Sequence, residues 1–245
     1  MIAAKTIAQA LLLALCVAAC ATRPTPDVNA FAARSGSNSF EPFDGRVDGG
    51  SALVLPVVHD RQIEGAACGA HALASVVNYW RGAGTVSGAQ LYASAPPADP
   101  AHGYSIAEIM ALASQQGLLA SGVRLNLPEL IRELDNGRPV LVPVRLPSIY
   151  VQDRSLPQTS AAALNVARGV VMDRMGRVSE MTDLAVVDHY LLLVGYDRDR
   201  FVVVEPVMGF RTISFERLAR YRREFDDAAV VFSGPERPAS AVQAG

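Results

Sequence analysis

Apolar residues return every three or four positions at Leu73, Val76, Val77 and Trp80, which predicts a helix from Gly69 onward with one buried face. The same period recurs at Ile106, Ile109, Met110 and Ala113, opened by the capping box Ser105-Ile106-Ala107-Glu108 and closed by Gly117. Pro128 marks the start of a third helix, with Leu130, Ile131 and Leu134 inward and Gly137 at its stop. Between the first two, 87–93 reads as a short helical turn before the proline-rich loop 95–100. The pattern then changes period. Pro139 to Val144 is a compact apolar run that predicts a buried strand, and two further runs, His189 to Tyr196 and Phe201 to Pro206, flank Asp197-Arg198-Asp199-Arg200 as a β-hairpin. Ser214 to Tyr221 reads as a short helix and Ala228 to Phe232 as a closing strand. Ahead of them all, 52–58 is a β-branched run broken by Pro56, an edge strand. Helices first and antiparallel strands afterwards predict one α+β domain over 52–234. Within it 147–187 has no clear strand, a candidate helix from Ser160 to Met175, and the length of an insertion or lid.

The ends of the chain differ in kind. Residues 1–19 carry Lys5, an apolar run from Leu11 to Val17 and small residues at Ala18 and Ala19, the layout of a bacterial secretion signal. The run is shorter than the roughly 20 apolar residues of a membrane span. Val17-Ala18-Ala19-Cys20 resembles a lipobox, which predicts acylation of Cys20. Ala21 follows where an aspartate would favour inner-membrane retention, so the expected location is the outer membrane, facing the periplasm. The Pro/Ser/Gly/Asn-rich stretch 20–51 reads as a flexible tether, and 235–245 as a loose tail.

A formal charge of −2 with scattered arginines argues against nucleic acid as a partner. Cysteine arithmetic is more informative. Cys16 leaves with the signal and Cys20 takes lipid, so Cys68 is the one free thiol of the mature chain, in a compartment where thiols usually pair. It stands at the first turn of a helix, where unpaired N–H groups and the helix dipole favour a thiolate. Gly65, Ala66, Ala67 and Gly69 leave room for a substrate backbone, and Gln62 brings an amide suited to holding an oxyanion. Across the hairpin, positions 189 and 205 are equidistant from Asp197, which places His189 opposite Glu205 within about one residue of register. Asp188 is the poorer partner because neighbouring strand residues face opposite ways. His59 and His102 read as solvated. Cys68 and His71 have a metal-compatible spacing, but no second Cys/His cluster completes a four-ligand site, so neither a metal nor another cofactor is expected.

In this order Gln62, Cys68-Gly69, an Ala/Leu-rich helix ending Asn78-Tyr79-Trp80, Gly137-Arg138-Pro139-Val140-Leu141-Val142, then His189 to Tyr196 and Glu205-Pro206, resemble the bacteriocin-processing cysteine peptidases that cut exported peptides after double-glycine leaders. The resemblance covers 55–233 apart from the insertion. It implies a papain-like fold with helices packed on an antiparallel sheet, Cys68 as nucleophile, His189 as base, Glu205 as its orienting group and Gln62 as oxyanion donor. Glu205-Pro206 stands where the family usually has Asp-Pro, one methylene shorter. With no transporter segment following, a stand-alone lipoprotein form is expected, acting on a peptide or protein substrate, with a Gly-Gly leader and a secretion system as candidate partners. Two other readings of the same residues are a peptide-binding module that does not cut and an acyltransferase that passes the thioester to another acceptor.

Overall fold

The computed structural model describes residues 53–63, 66–148, 151, 175–176, 178–179, 181–182 and 186–234. The expected secretion signal, Cys20, the expected tether and tail and the candidate helix 160–175 (save Met175) lie outside them. Helix α1 (Cys68–Arg81) is followed by α2 (Gly88–Ser94) and α3 (Ile106–Gln115). Leu73, Val76 and Val77 of α1 are fully buried and Trp80 is half-buried, as the period required. Ser87 and Ser105 cap α2 and α3 through reciprocal capping boxes with Gln90 and Glu108. Helix α4 (Leu127–Asp135) is capped in the same way by Asn126 and Glu129, with Pro128 in its first turn. Among the described residues none forms a helix long and apolar enough to cross a membrane.

The strands are β1 (Leu53–Val54), β2 (Leu119–Arg124), β3 (Val140–Pro147), β4 (Val186–Asp197), β5 (Arg200–Glu205), β6 (Gly209–Ser214) and β7 (Ala228–Ser233), and helix α5 (Phe215–Arg222) lies between the last two. They form one sheet in the order β2-β7-β3-β4-β5-β6, with every pairing antiparallel. β1 pairs with Gly195 and Tyr196, on the β4 edge that β3 leaves uncovered. Two strands were not expected from the sequence. β2 is an edge strand whose residues are exposed or half-exposed, so it lacks the apolar alternation that marks a half-buried strand. β6 was missed because Phe210 and Ile213 are separated by the polar pair Arg211-Thr212, all of them buried. β2 also interrupts the helices-first order, since it falls between α3 and α4.

β3 and β4 run in unbroken register from Val140↔Leu193 to Pro147↔Val186. A two-residue turn would be enough to join their ends, whereas residues 148–185 stand between them in the sequence. On the other side of β4, pairing with β5 is irregular between Leu193 and Gly195. The bulge changes which face each half of β4 addresses. Leu193 is opposite Val203, and Tyr196 is opposite Phe201, so both share a face, whereas Tyr190 lies on the other. The Tyr190 hydroxyl accordingly donates to the Tyr104 carbonyl just before α3 (2.9 Å), and the Tyr196 hydroxyl donates to Asp135 of α4 (2.7 Å).

Candidate active site

Cys68 is the first residue of α1, and the residue before it, Ala67, supplies no side-chain cap. That sets α1 apart from α2 to α5, each of which has a serine or asparagine closing its first turn. An uncapped first turn keeps its N–H donors available to a charged atom placed there. The sulfur of Cys68 has one of them, the Gly69 N–H, as a hydrogen-bond partner, together with the Tyr190 N–H of β4 and the side chain of His189. A Cβ on Gly69 would stand 2.8 Å from the end of the Ile109 side chain and 3.1 Å from the Tyr104 ring, so a side chain there would have to displace them.

His189 is buried on β4, opposite Val144 of β3. Its Nε2 hydrogen-bonds Glu205 Oε1 at 2.7 Å, which leaves Nδ1 for the sulfur. The register that brings the imidazole and the carboxylate together differs from the one expected. Leu192 pairs with Val204, so the residue opposite Glu205 is Leu191 and His189 is the diagonal neighbour on the same face. The two-residue turn Arg198-Asp199 and the bulge shift the strands by two positions, and the longer glutamate side chain spans the diagonal. Glu205 is held in turn by its own chain: Val207 N–H donates to Oε1 (3.1 Å) and Met208 N–H to Oε2. Asp188, on the opposite face as expected, pairs with Arg145 (2.8 Å).

The charges follow from this arrangement. Burial pushes the Cys68 thiol up, yet the imidazolium of His189 and the three hydrogen bonds hold it below its ordinary value. Burial likewise pulls His189 down, and the Cys68 thiolate and the Glu205 carboxylate together raise it well above the ordinary histidine value. Each partner therefore stabilises the charged form of the other. The sign of both shifts widens the window in which thiolate and imidazolium coexist. Alkylation of Cys68 by iodoacetamide, followed by peptide mapping, is expected to begin at a pH below the ordinary thiol range. The imidazolium should be lost only above the ordinary histidine range; an onset at the pH of a free thiol would exclude the ion pair. Tyr104, raised to about 12 by burial, and Tyr190, raised further by the same cause, stay neutral beside it.

Gln62 is buried, and its backbone N–H donates to the Pro206 carbonyl (2.9 Å), which ties the loop ahead of α1 to the residue after Glu205. His71 does not join the site. Its Nδ1 hydrogen-bonds Asp60, whose Oδ1 also accepts the Gly88 N–H (2.9 Å), so it fastens α1 to the start of α2. Among the described residues no group of three or more His, Cys, Asp or Glu side chains is placed to hold a metal. His102 is exposed and bonded to Asp99, as its turn suggested. His59 is only partly solvated, where the sequence reading had it solvated: it is half-buried, and its Nε2 hydrogen-bonds the Pro206 carbonyl at 2.8 Å. Arg211 was also missed, because its strand was missed. It is buried on the face of Glu205, and burial pulls its guanidinium down to about 10 while the Glu205 carboxylate works the other way. With Leu191, Val203, Glu205, Ile213 and Tyr221 it lines a cleft.

A helix-borne thiol, an imidazole and a carboxylate in series have the form of a nucleophile, a base and its orienting group. The model of the Peptidase_C39 like family matches residues 54–225, and the chain belongs to that family. Its α+β architecture, with N-terminal helices and an antiparallel sheet, is the papain-like one expected from the sequence. No curated protein matches the chain. Among solved structures it is similar to the peptidase domain of Streptococcus ComA, a bifunctional ABC transporter involved in a quorum-sensing pathway, at 16% identity and TM-score 0.47, over 71% of this chain and 96% of that one. It is also similar to a putative C39-like peptidase from Bacillus anthracis at 14% identity and TM-score 0.47, over 75% and 98%. A third likeness is to xylellain, a cysteine protease from Xylella fastidiosa, at 12% identity and TM-score 0.42, over 86% and 91%.

Proposed function

We propose that the protein is a peptidase that cleaves exported peptides or their leaders through a thioester on Cys68. The observation that carries this reading is the unbroken hydrogen-bonded series from Cys68 through His189 to Glu205. The thiolate attacks the peptide carbonyl carbon and forms the S–C bond, while the Gln62 amide and the Cys68 N–H hold the oxyanion. The His189 imidazolium gives its proton to the departing amine as the C–N bond breaks. Water then loses a proton to His189 and attacks the thioester, which frees the acid and restores the thiolate. Glu205 holds the imidazole in the tautomer and orientation both steps need.

Incubating the purified protein with a peptide library that includes Gly-Gly leaders, and weighing the products, tests the reading. Shortened peptides are expected. Conjugates in place of hydrolysis products would make it an acyltransferase, and binding without a mass change would make it a peptide-binding module.

The lipobox-like Val17-Ala18-Ala19-Cys20 supports a lipid-anchored enzyme in the cell envelope, at the outer membrane and facing the periplasm. Labelling with a clickable fatty acid is expected to mark the protein and to be lost in Cys20→Ser; equal labelling of that variant rejects the anchor.

A further inference from the structure

Two groups that the proposed chemistry does not use lie against the Glu205-Pro206 turn. One is Arg211; the other, with the more definite geometry, is His59. We infer that His59 is a positioning residue: its imidazole clamps the Pro206 carbonyl and thereby fixes both the orienting carboxylate and the loop that presents Gln62. This rests on the peptidase reading of the site.

The Pro206 carbonyl accepts two hydrogen bonds, one from His59 Nε2–H (2.8 Å) and one from the Gln62 backbone N–H (2.9 Å). A carbonyl only accepts, so Nε2 must carry the proton. Both donors come from the segment between β1 and α1, and the acceptor lies directly after Glu205. Gly209 lies beside the ring. Gly209, at φ 83°, leaves its α-carbon bare against the imidazole, and a Cβ there would stand 3.4 Å from Nδ1. Within the turn, Glu205 reaches back to Val207 and Met208, so its carboxylate is only as fixed as the backbone of 205–208. His59 and Gln62 each bond that backbone to the segment that leads into α1.

A hydrogen bond that only held the fold would change stability and leave the chemistry of the correctly folded fraction alone. A positioning bond moves the thiol as well, because a carboxylate free to turn stabilises the His189 imidazolium less, and the imidazolium then stabilises the thiolate less. In His59→Leu, kcat is expected to fall about tenfold with KM nearly unchanged. The onset of Cys68 alkylation should also move to higher pH. His59→Gln, whose amide N–H can reach the same carbonyl, should restore both. If His59→Leu does not fold, His59→Asn, too short to reach Pro206, is read in the same way.

A folded His59→Leu or His59→Asn with wild-type kcat and wild-type alkylation onset overturns the inference, as does a His59→Gln no better than His59→Leu. The alkylation profile needs no substrate. A shifted onset in a protein that cuts no peptide would therefore leave the clamp standing while the peptidase reading failed.

Discussion

Cys68→Ala is expected to abolish turnover, lowering the rate of peptide cleavage by at least about 10³-fold while the protein folds and melts much as before. The size of the effect follows from the role of the atom. Cys68 is the only free cysteine among the described residues, and both the imidazolium and the N–H groups around its sulfur favour a negative charge that alanine cannot carry. On the proposed mechanism the variant keeps the rest of the site and can still bind a peptide, but it forms no thioester. The fold should tolerate the change because the replaced side chain is small and the residue stands at the start of α1, outside the helix's Leu73-Val76-Val77 stripe. Cleavage retained in the purified variant would end the case for Cys68. A protein that lost its fold would leave the comparison to Cys68→Ser, which keeps the shape and replaces the thiolate with a poor nucleophile.

The largest expected loss of stability from a single added methyl group is at Gly195. A Cβ at that position would stand 2.0 Å from the Leu53 carbonyl oxygen and 2.9 Å from the Val54 Cα. Both are backbone atoms of β1, the strand paired with Gly195 itself, so no rotamer change relieves the clash. Either β1 leaves β4 or β4 bends at its bulge. Gly195→Ala is expected to cost about 3 kcal/mol or more, in the range of severe overpacking. Chemical denaturation of the two proteins measures it; a difference under about 1 kcal/mol would mean that the edge yields easily. Activity should suffer beyond the lost stability, because β1 leads into the segment that holds His59 and Gln62.

These two residues also show what could be read from the chain alone. Cys68 was legible because its setting is local: a small-residue loop, a helix start and a lone thiol lie within a few positions of one another. His189 and Glu205 were legible as a pair because hairpin pairing follows from counting. The count erred by two residues, since the bulge between Leu193 and Gly195 and the exact ends of the turn are not encoded in any apolar alternation. The glutamate's extra methylene is what lets a diagonal pair meet. Gly195 looked like one small residue in an apolar strand; its meaning depends on Leu53, far away in the sequence. His59 was misread for the same reason, because its partner is the Pro206 carbonyl and a backbone acceptor at that distance leaves no mark in the residue types. β2 and β6 escaped notice because an exposed edge and a buried Arg-Thr pair both depart from the pattern that makes strands visible.

The irregularity in β4 has a consequence for how this chain can vary. The strand speaks to one layer with Tyr190 and to the other with Tyr196, and the changeover happens within a few residues of the histidine. Apart from Gly195, a side chain along 190–196 can be exchanged for another of similar bulk, since neighbours can repack around it. Adding or removing one residue there is different in kind. It would carry the Tyr196 hydroxyl away from Asp135, and everything beyond it to the wrong layer, so in this segment the spacing is constrained more tightly than the letters.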